Sequence, residues 1–152
     1  MVACSTNKIC KIKIGDTSDR AEAIYGFPHY FTGNLKVYKD KDNDNFIVTI
    51  TSNQRITGIA VFSSGGELLY SKKLSPIDDS NILQFCSRPF DELEKQYGKT
   101  HFEIGSGFLK PAYVTDHATV VYFLYYNDKT VWRILSLDII TKELTILIDC
   151  AD

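Results

Sequence analysis

The sequence lacks a long apolar run and lacks any concentration of positive charge. Its 17 Lys and Arg residues nearly balance 19 Asp and Glu residues, for a formal charge of −2. The basic residues are scattered, so the electrostatic footprint of nucleic-acid binding is missing. No stretch approaches the roughly 20 apolar residues of a membrane span. We therefore predict no nucleic-acid partner and no membrane span.

Cysteines are few, and their spacing has no zinc pattern. The four are Cys4, Cys10, Cys86 and Cys150. They permit three pairings in an oxidising compartment and require none. The N-terminus lacks the apolar core of a secretory signal, but MVACS is typical of the end of a bacterial lipoprotein leader. If a leader was removed, Cys4 is a candidate lipid anchor and the expected location is the envelope or outside the cell; otherwise it is the cytoplasm.

Catalytic and phosphate-binding motifs are also missing. SSGGE (63–67) lacks the lysine and following helix of a phosphate loop, so it predicts a hairpin. His29 and His101 occupy equivalent places after two predicted helices, which indicates a structural role at helix ends. His117 follows Asp116 in a turn, without a nucleophile elbow or metal-ligand helix. We predict no catalytic residue and no cofactor, and we do not expect an enzyme.

One acidic segment, DKDNDN (40–45), partly matches a calcium loop. Its carboxylates stand at positions 1, 3 and 5 of that pattern: Asp40, Asp42 and Asp44. The pattern fails further on, because Asn45 replaces the glycine at position 6 and Thr51 replaces the closing glutamate. The segment predicts a solvent-exposed hairpin tip without a metal ion.

A pattern that is present, Tyr-Gly-x-x-His-aromatic, occurs at residues 25–30 and again at 97–102. The preceding segments, 17–24 and 89–96, carry acids early and apolar positions later, which predicts two short helices. A glycine follows each segment, and glycine adopts the left-handed conformation of a helix cap without steric cost. These glycines are Gly26 and Gly98.

The repeat continues beyond the helices. Residues 46–52 match 120–126 at an offset of 74, and 66–74 match 142–149 at an offset of 76. Each half predicts one helix followed by about four strands. We predict an α+β fold with a tandem duplication and helices packed on one face of the sheet. Residues 1–152 are expected to form a single domain of two repeats, about 11–75 and 82–149.

This organisation resembles the β-lactamase inhibitory protein family and the related small outer-membrane lipoproteins of barrel assembly. The resemblance runs through IKIGDTSDRAEAIYGFP (12–28) and SRPFDELEKQYGKTHF (87–102). It implies helices on one sheet face and a concave face that binds another protein. That family commonly has a disulfide in each repeat, whereas these cysteines do not correspond between the copies. We predict a non-catalytic protein-binding module resembling these inhibitors; the alternatives are a scaffolding envelope lipoprotein and a cytoplasmic immunity protein.

The strands in VVYFLYYNDKTVWRIL (120–135) predict a binding face. A two-residue turn at Asn127 and Asp128 pairs Tyr122 with Arg133, Leu124 with Val131, and Tyr126 with Lys129. The expected core side is Val121, Phe123, Tyr125, Trp132 and Ile134. The opposite side, predicted to bind protein because it mixes aromatic residues with arginine, is Tyr122, Leu124, Tyr126 and Arg133.

Two observations leave this prediction open. Such side chains also stabilise sheets by cross-strand packing, so both faces can be core. A two-residue turn at Asn53 and Gln54 places Phe46, Val48 and Ile50 inward, which conflicts with the matching strand of the second repeat. One of the two turns is therefore expected to be longer.

Overall fold

The computed structural model describes residues 9–104 and 110–150. They form two compact units, of which unit 1 ends at Pro76 and unit 2 begins at Ile77. Among these residues each unit has one α-helix and a five-stranded antiparallel sheet, so the predicted α+β class is confirmed. None of their helices is long and apolar enough to cross a membrane.

The helix of unit 1, α1 (Ser18–Tyr25), lies within one residue of the predicted segment 17–24 and is followed by the predicted glycine. The Thr17 hydroxyl accepts a hydrogen bond from the Arg20 amide at 3.2 Å, which satisfies a helix N–H that has no partner within the helix. Gly26, with φ of 90°, ends the helix and donates to the Glu22 carbonyl at 2.8 Å. Its positive φ is the reason that a glycine stands there.

The sheet of unit 1 follows chain order, so its first and last strands are its edges. The strands are β1 (Tyr30–Thr32), β2 (Leu35–Lys39), β3 (Phe46–Ser52), β4 (Arg55–Phe62) and β5 (Leu68–Lys72). Asn53 and Gln54 connect β3 to β4, and their φ values of 53° and 66° match a type I′ turn. The predicted two-residue turn is confirmed here, and the strand count exceeds the expected four.

The core of unit 1 lies where α1 packs on the sheet. The Tyr25 ring centroid lies 5.9 Å from that of Tyr38 on β2. The buried cluster comprises Cys10, Ile12, Ala21, Tyr25, Tyr38, Ile47, Ile56, Ile59 and Val61. Burying this apolar surface is the main stabilising contribution to the unit.

Unit 2 has the same element order after a short 3₁₀ helix at Ile82–Phe85. Its helix and strands are α2 (Phe90–Tyr97), β6 (Phe102–Ile104), β7 (Lys110–Val114), β8 (Thr119–Tyr125), β9 (Val131–Asp138) and β10 (Leu144–Asp149). The sheet order makes β6 and β10 the edges. The buried cluster comprises Ile77, Ile82, Phe85, Phe90, Leu93, Tyr113, Val121, Phe123, Val131 and Ile134.

In both units, the segment before the helix exchanges two backbone hydrogen bonds with the fourth strand. Ile56 donates to Asp16 and accepts from Gly15, at 2.8 and 2.9 Å. In unit 2, Val131 donates to Arg88 and accepts from Ser87, both at 2.9 Å. The helices also end alike, since Gly98 has φ of 82° and donates to Glu94 at 2.8 Å. The two units therefore share their local construction as well as their element order.

Candidate protein-binding surface

The loop between β8 and β9 is longer than predicted. The Lys129 amide donates to Tyr126 at 2.8 Å, and the Tyr126 amide donates to the Thr130 carbonyl at 3.0 Å. Lys129 adopts a left-handed φ of 65°, which completes a three-residue loop, 127–129. The predicted two-residue turn is wrong, and this is the longer of the two hairpin turns.

The longer loop and a β-bulge change the register of the hairpin. The observed pairs are Tyr122–Leu135, Leu124–Arg133 and Tyr125–Val131. Trp132 is the extra residue of the bulge, because two residues of β9 lie opposite one residue of β8 there. The predicted pairs of Tyr122 with Arg133 and of Leu124 with Val131 are therefore wrong, as is the pair of Tyr126 with Lys129.

The predicted core side is confirmed in part. Val121, Phe123 and Ile134 are fully buried in the cluster that includes α2. Tyr125 is 36 % exposed, although its ring stacks on that of Phe90 with centroids 5.7 Å apart. It therefore covers the rim of the core instead of filling its centre.

Trp132 is half-buried, and its prediction as a core residue is wrong. Its ring stacks on that of Tyr126, with centroids 5.9 Å apart and planes 27° from parallel. The guanidinium of Arg133 lies 4.9 Å from the Trp132 ring centroid, and it pairs with the Asp149 carboxylate at 2.7 Å. Stacking and cation–π contact thus join these side chains into one surface cluster.

The four residues of the predicted binding face differ in exposure. Tyr126 is 51 % exposed, whereas Tyr122, Leu124 and Arg133 are half-buried. On the sheet face that carries Tyr122, Leu135 is 7 % exposed and its neighbour Ile146 on β10 is 52 % exposed. The accessible part of this face therefore lies at its β10 edge, which the sequence prediction missed.

Strand β10 differs from the other edge strands in the described residues. Strands β1 and β6 have three residues each, and β5 carries Lys72. A short edge strand and a lysine on the edge both limit edge-to-edge pairing. Strand β10 has six residues, LTILID, without lysine or proline. Its exposed apolar side chains are Leu144, Ile146 and Leu147. Together with Tyr126, Trp132 and Arg133, these three residues are named the β10 patch.

The acidic segment of unit 1 is only partly the exposed tip that was predicted. Asp40 is 1 % exposed, and it accepts hydrogen bonds from the Asp42 amide and the Lys11 ammonium at 2.9 and 3.3 Å. The same ammonium lies 2.6 Å from the Asp42 carboxylate and lowers the pKa of Asp42. Asp44 is exposed and lies 3.9 Å from Lys39. A single lysine thus forms ion pairs with both carboxylates that begin the calcium-like pattern.

His29 and His101 occupy equivalent backbone positions, because their amides donate to the Val37 and Ala112 carbonyls at 2.8 and 2.9 Å. The His29 ring lies 5.0 Å from that of Phe46, and the Nδ1 of His101 accepts from the Val114 amide at 2.9 Å. Both ring nitrogens of His117 face aspartate carboxylates, which places a charged group on each side of the imidazole. Among the described residues, this group of His117, Asp79 and Asp116 has metal-ligating donor atoms within 4.8 Å of one another.

No family model matches the chain. No curated protein matches it either. One similar solved structure is a DUF4309 family protein, YjgB, from Bacillus subtilis subsp. subtilis str. 168, at 14 % identity and a TM-score of 0.28. The match covers 78 % of this chain and 76 % of that chain.

Proposed function

We propose that this chain is a non-catalytic protein-binding module and that the β10 patch receives its partner. The observation that carries the proposal is the exposed apolar edge of β10, with Leu144 and Ile146 at 54 % and 52 % exposure. An exposed apolar strand at a sheet edge is a template for pairing with another chain. The other described edges are short or carry lysine, which supports a specific use for this one.

Two kinds of contact are available to a partner at this edge. The outer backbone N–H and C=O groups of β10 can pair with an extended segment, which supplies affinity through main-chain hydrogen bonds. The side chains of Leu144 and Ile146 share one face and can pack against alternate residues of that segment. We therefore expect the partner to contribute a strand with apolar residues at every second position.

The aromatic end of the patch adds a prearranged contact surface. Trp132 is already stacked on Tyr126, and Arg133 is held by Asp149. Side chains that are ordered before binding lose less conformational entropy when a partner arrives. Tryptophan, tyrosine and arginine are also the residues that most often dominate binding energy at interfaces. This end of the patch is therefore expected to be the stronger part of the interface.

Site-specific photo-cross-linking in the source cell tests the proposal. A photoreactive amino acid is placed at Leu147, and in a matched variant at Leu69 on the β5 edge of unit 1; these positions are 37 % and 40 % exposed. We expect a discrete adduct from position 147 and none of the same mass from position 69. The substitution Ile146→Lys should abolish that adduct, whereas Leu69→Lys should not.

The adduct must then behave as an interface. The purified partner should bind the wild-type chain reversibly, and Ile146→Lys should weaken binding without shifting the melting temperature. Equal adducts from both positions would contradict the proposal, as would adducts unaffected by Ile146→Lys. An enzymatic activity that survives every substitution in the patch would contradict the non-catalytic assignment.

We also propose that the protein is located outside the cytoplasm. The supporting observation is the disulfide between Cys86 and Cys150. Disulfides persist mainly in oxidising compartments. It favours the envelope lipoprotein or a secreted protein over the cytoplasmic immunity protein. Cys4, the candidate lipid anchor, lies outside the described residues. Thiol labelling of the protein as isolated from its source tests this: a fully reduced Cys86 in unstressed cells would favour the cytoplasmic alternative.

We also propose that the two units arose by tandem duplication, as the resemblance to β-lactamase inhibitory proteins implies. The matched helix ends and the matched pairs of backbone hydrogen bonds support this origin. An experimental structure in which residues 15–26 and 87–98 differ in conformation would contradict it. Whether the module inhibits a β-lactamase is a separate question, and hydrolysis of a chromogenic cephalosporin with and without the protein answers it.

A further inference from the structure

A histidine and two aspartates of unit 2 form a cluster outside the β10 patch. The Nδ1 atom of His117 lies 3.1 Å from the Asp116 carboxylate. Its Nε2 atom lies 3.5 Å from the Asp79 carboxylate. Asp78 also interacts electrostatically with the imidazole. Two carboxylates therefore face the two nitrogens of one histidine ring, and a third interacts with it electrostatically.

Backbone hydrogen bonds hold the two segments of the cluster together. Ile77 forms a parallel bridge with Thr115. Its amide donates to the Val114 carbonyl, and its carbonyl accepts from the Asp116 amide, both at 2.9 Å. The hydroxyls of Thr115 and Thr119 lie 2.6 Å apart and tie the turn that carries His117. Backbone hydrogen bonds thus fix the two segments that carry the donor side chains.

The arrangement around the imidazole favours a cation. A neutral imidazole has one N–H donor and one lone pair. If Nδ1 donates to Asp116, the lone pair on Nε2 faces the acceptor oxygens of Asp79. Two acceptors that face each other repel unless a proton or a metal ion lies between them. The side-chain geometry therefore leaves a position for a positive group between His117 and Asp79.

We propose that His117, through Nε2, and Asp79 bind a divalent transition-metal ion of the zinc class, with water completing the coordination. Zinc accepts imidazole nitrogen and carboxylate oxygen at about 2.0 to 2.2 Å, so two ligands of a tetrahedral site stand about 3.4 Å apart. The observed separation of 3.5 Å is close to that value. Asp116 is a positioning residue, because a carboxylate on the second ring nitrogen orients a metal-bound histidine.

The metal acts here as a clip between two segments of unit 2. Asp79 lies in the segment before the 3₁₀ helix, and His117 lies in the turn between β7 and β8. A bound ion adds a coordinate link to the backbone hydrogen bonds between them. Because it binds the folded chain and not the unfolded one, it should raise the melting temperature in a concentration-dependent way.

Titration calorimetry with zinc chloride tests the site on the full chain, without an affinity tag and after chelator treatment. We expect one zinc per chain at pH 8, and cobalt should give a visible absorption spectrum typical of low coordination number. His117→Ala should abolish both signals. Asp79→Asn should weaken binding at least about tenfold through the lost ligand, and Asp116→Asn by about 10- to 100-fold through lost positioning.

The matched control is Asp91→Asn, which removes an exposed carboxylate from the first turn of α2. It should leave zinc affinity unchanged, and circular dichroism should show that every variant is folded. The zinc-induced rise in melting temperature should disappear in His117→Ala. Zinc binding that is absent in the wild type, or that persists unchanged in His117→Ala, would overturn the site. Neither result affects the proposal for the β10 patch.

Discussion

The ring centroids of Tyr97 and Tyr113 lie 5.9 Å apart, and the same distance separates Tyr25 from Tyr38 in unit 1. Both pairs join the last residue of a helix to the second strand of a sheet. The hydroxyl of the strand tyrosine is bonded in one pair and unbonded in the other. The Tyr113 hydroxyl donates to the Gly98 carbonyl at 2.6 Å, whereas the Tyr38 hydroxyl is buried without a hydrogen-bond partner.

This difference predicts that replacing tyrosine with phenylalanine affects stability differently at positions 113 and 38. Tyr113→Phe should lower the free energy of unfolding by about 1 kcal/mol, because it removes a buried hydrogen bond. Tyr38→Phe should be neutral or stabilising, because it removes a buried hydroxyl that lacks compensation. Urea unfolding of the two variants measures both values. A larger loss from Tyr38→Phe than from Tyr113→Phe would contradict the prediction.

The buried tyrosines also predict a loss of stability at alkaline pH. Burial raises the pKa of Tyr38 to about 12 and raises the pKa values of Tyr25, Tyr97 and Tyr113. In the unfolded chain these phenols ionise near pH 10, so above that pH the unfolded state loses protons first. Their stabilising contribution is therefore complete below about pH 10 and is lost as the pH rises toward the folded values.

Urea midpoints at pH 8, 10 and 11, with phenolate absorbance followed in parallel, measure this effect. The buried tyrosines should ionise only when the protein unfolds, so phenolate absorbance should rise in a late step that coincides with unfolding. The variant Tyr38→Phe should lose less stability between pH 8 and 11 than the wild type. Equal losses would show that this phenol is not responsible.

Removal of the disulfide should destabilise unit 2. Cys86 and Cys150 are separated by 64 positions, and closing a loop of that length restricts the unfolded chain by about 4 kcal/mol in the entropic account. The variant Cys86→Ser should therefore show a lower urea midpoint than the wild type. Reducing agent should lower the wild-type midpoint and leave that of the variant unchanged. A wild type that is insensitive to reduction would contradict the prediction.

Substitutions at Phe123 and Trp132 should separate core from surface. Phe123 is fully buried between Phe90 and Tyr113, so Phe123→Ala should cost about 3 to 5 kcal/mol through the cavity that it leaves. Trp132 is half-buried on the surface cluster, so Trp132→Ala should cost distinctly less stability. Thermal unfolding compares the two variants. Equal losses would place Trp132 in the core after all.

Local signals made the helices predictable. Each helix is followed by a glycine with a positive φ, Gly26 or Gly98. Glycine adopts this conformation without steric cost, so the residue type alone indicates where the helix ends. The register of the β8–β9 hairpin was not predictable in this way. It depends on a left-handed lysine, Lys129, and on the bulge at Trp132, and neither residue type indicates such a conformation.

The candidate surface was predictable only in part. Alternation within one hairpin predicted that Tyr126 and Arg133 share a side, and both belong to the surface cluster, but it put their neighbour Trp132 on the other side. The exposure of Ile146 depends on the place of β10 at the edge of the sheet, and strand order is a tertiary property. The apolar run LTILID is equally typical of a strand that is buried inside a sheet. The burial of Asp40 was missed for a similar reason, since Lys11 lies far from it in sequence.

The cluster of Trp132 with Tyr126 and Arg133 has an optical consequence. Trp132 is the single tryptophan of the chain. Indole emission shifts to shorter wavelength as water leaves the ring, so tryptophan fluorescence reports on the aromatic end of the β10 patch. A partner that covers the patch should shift the emission to the blue and protect it from quenching by iodide. The molecule thus contains its own spectroscopic probe at the surface where binding is proposed.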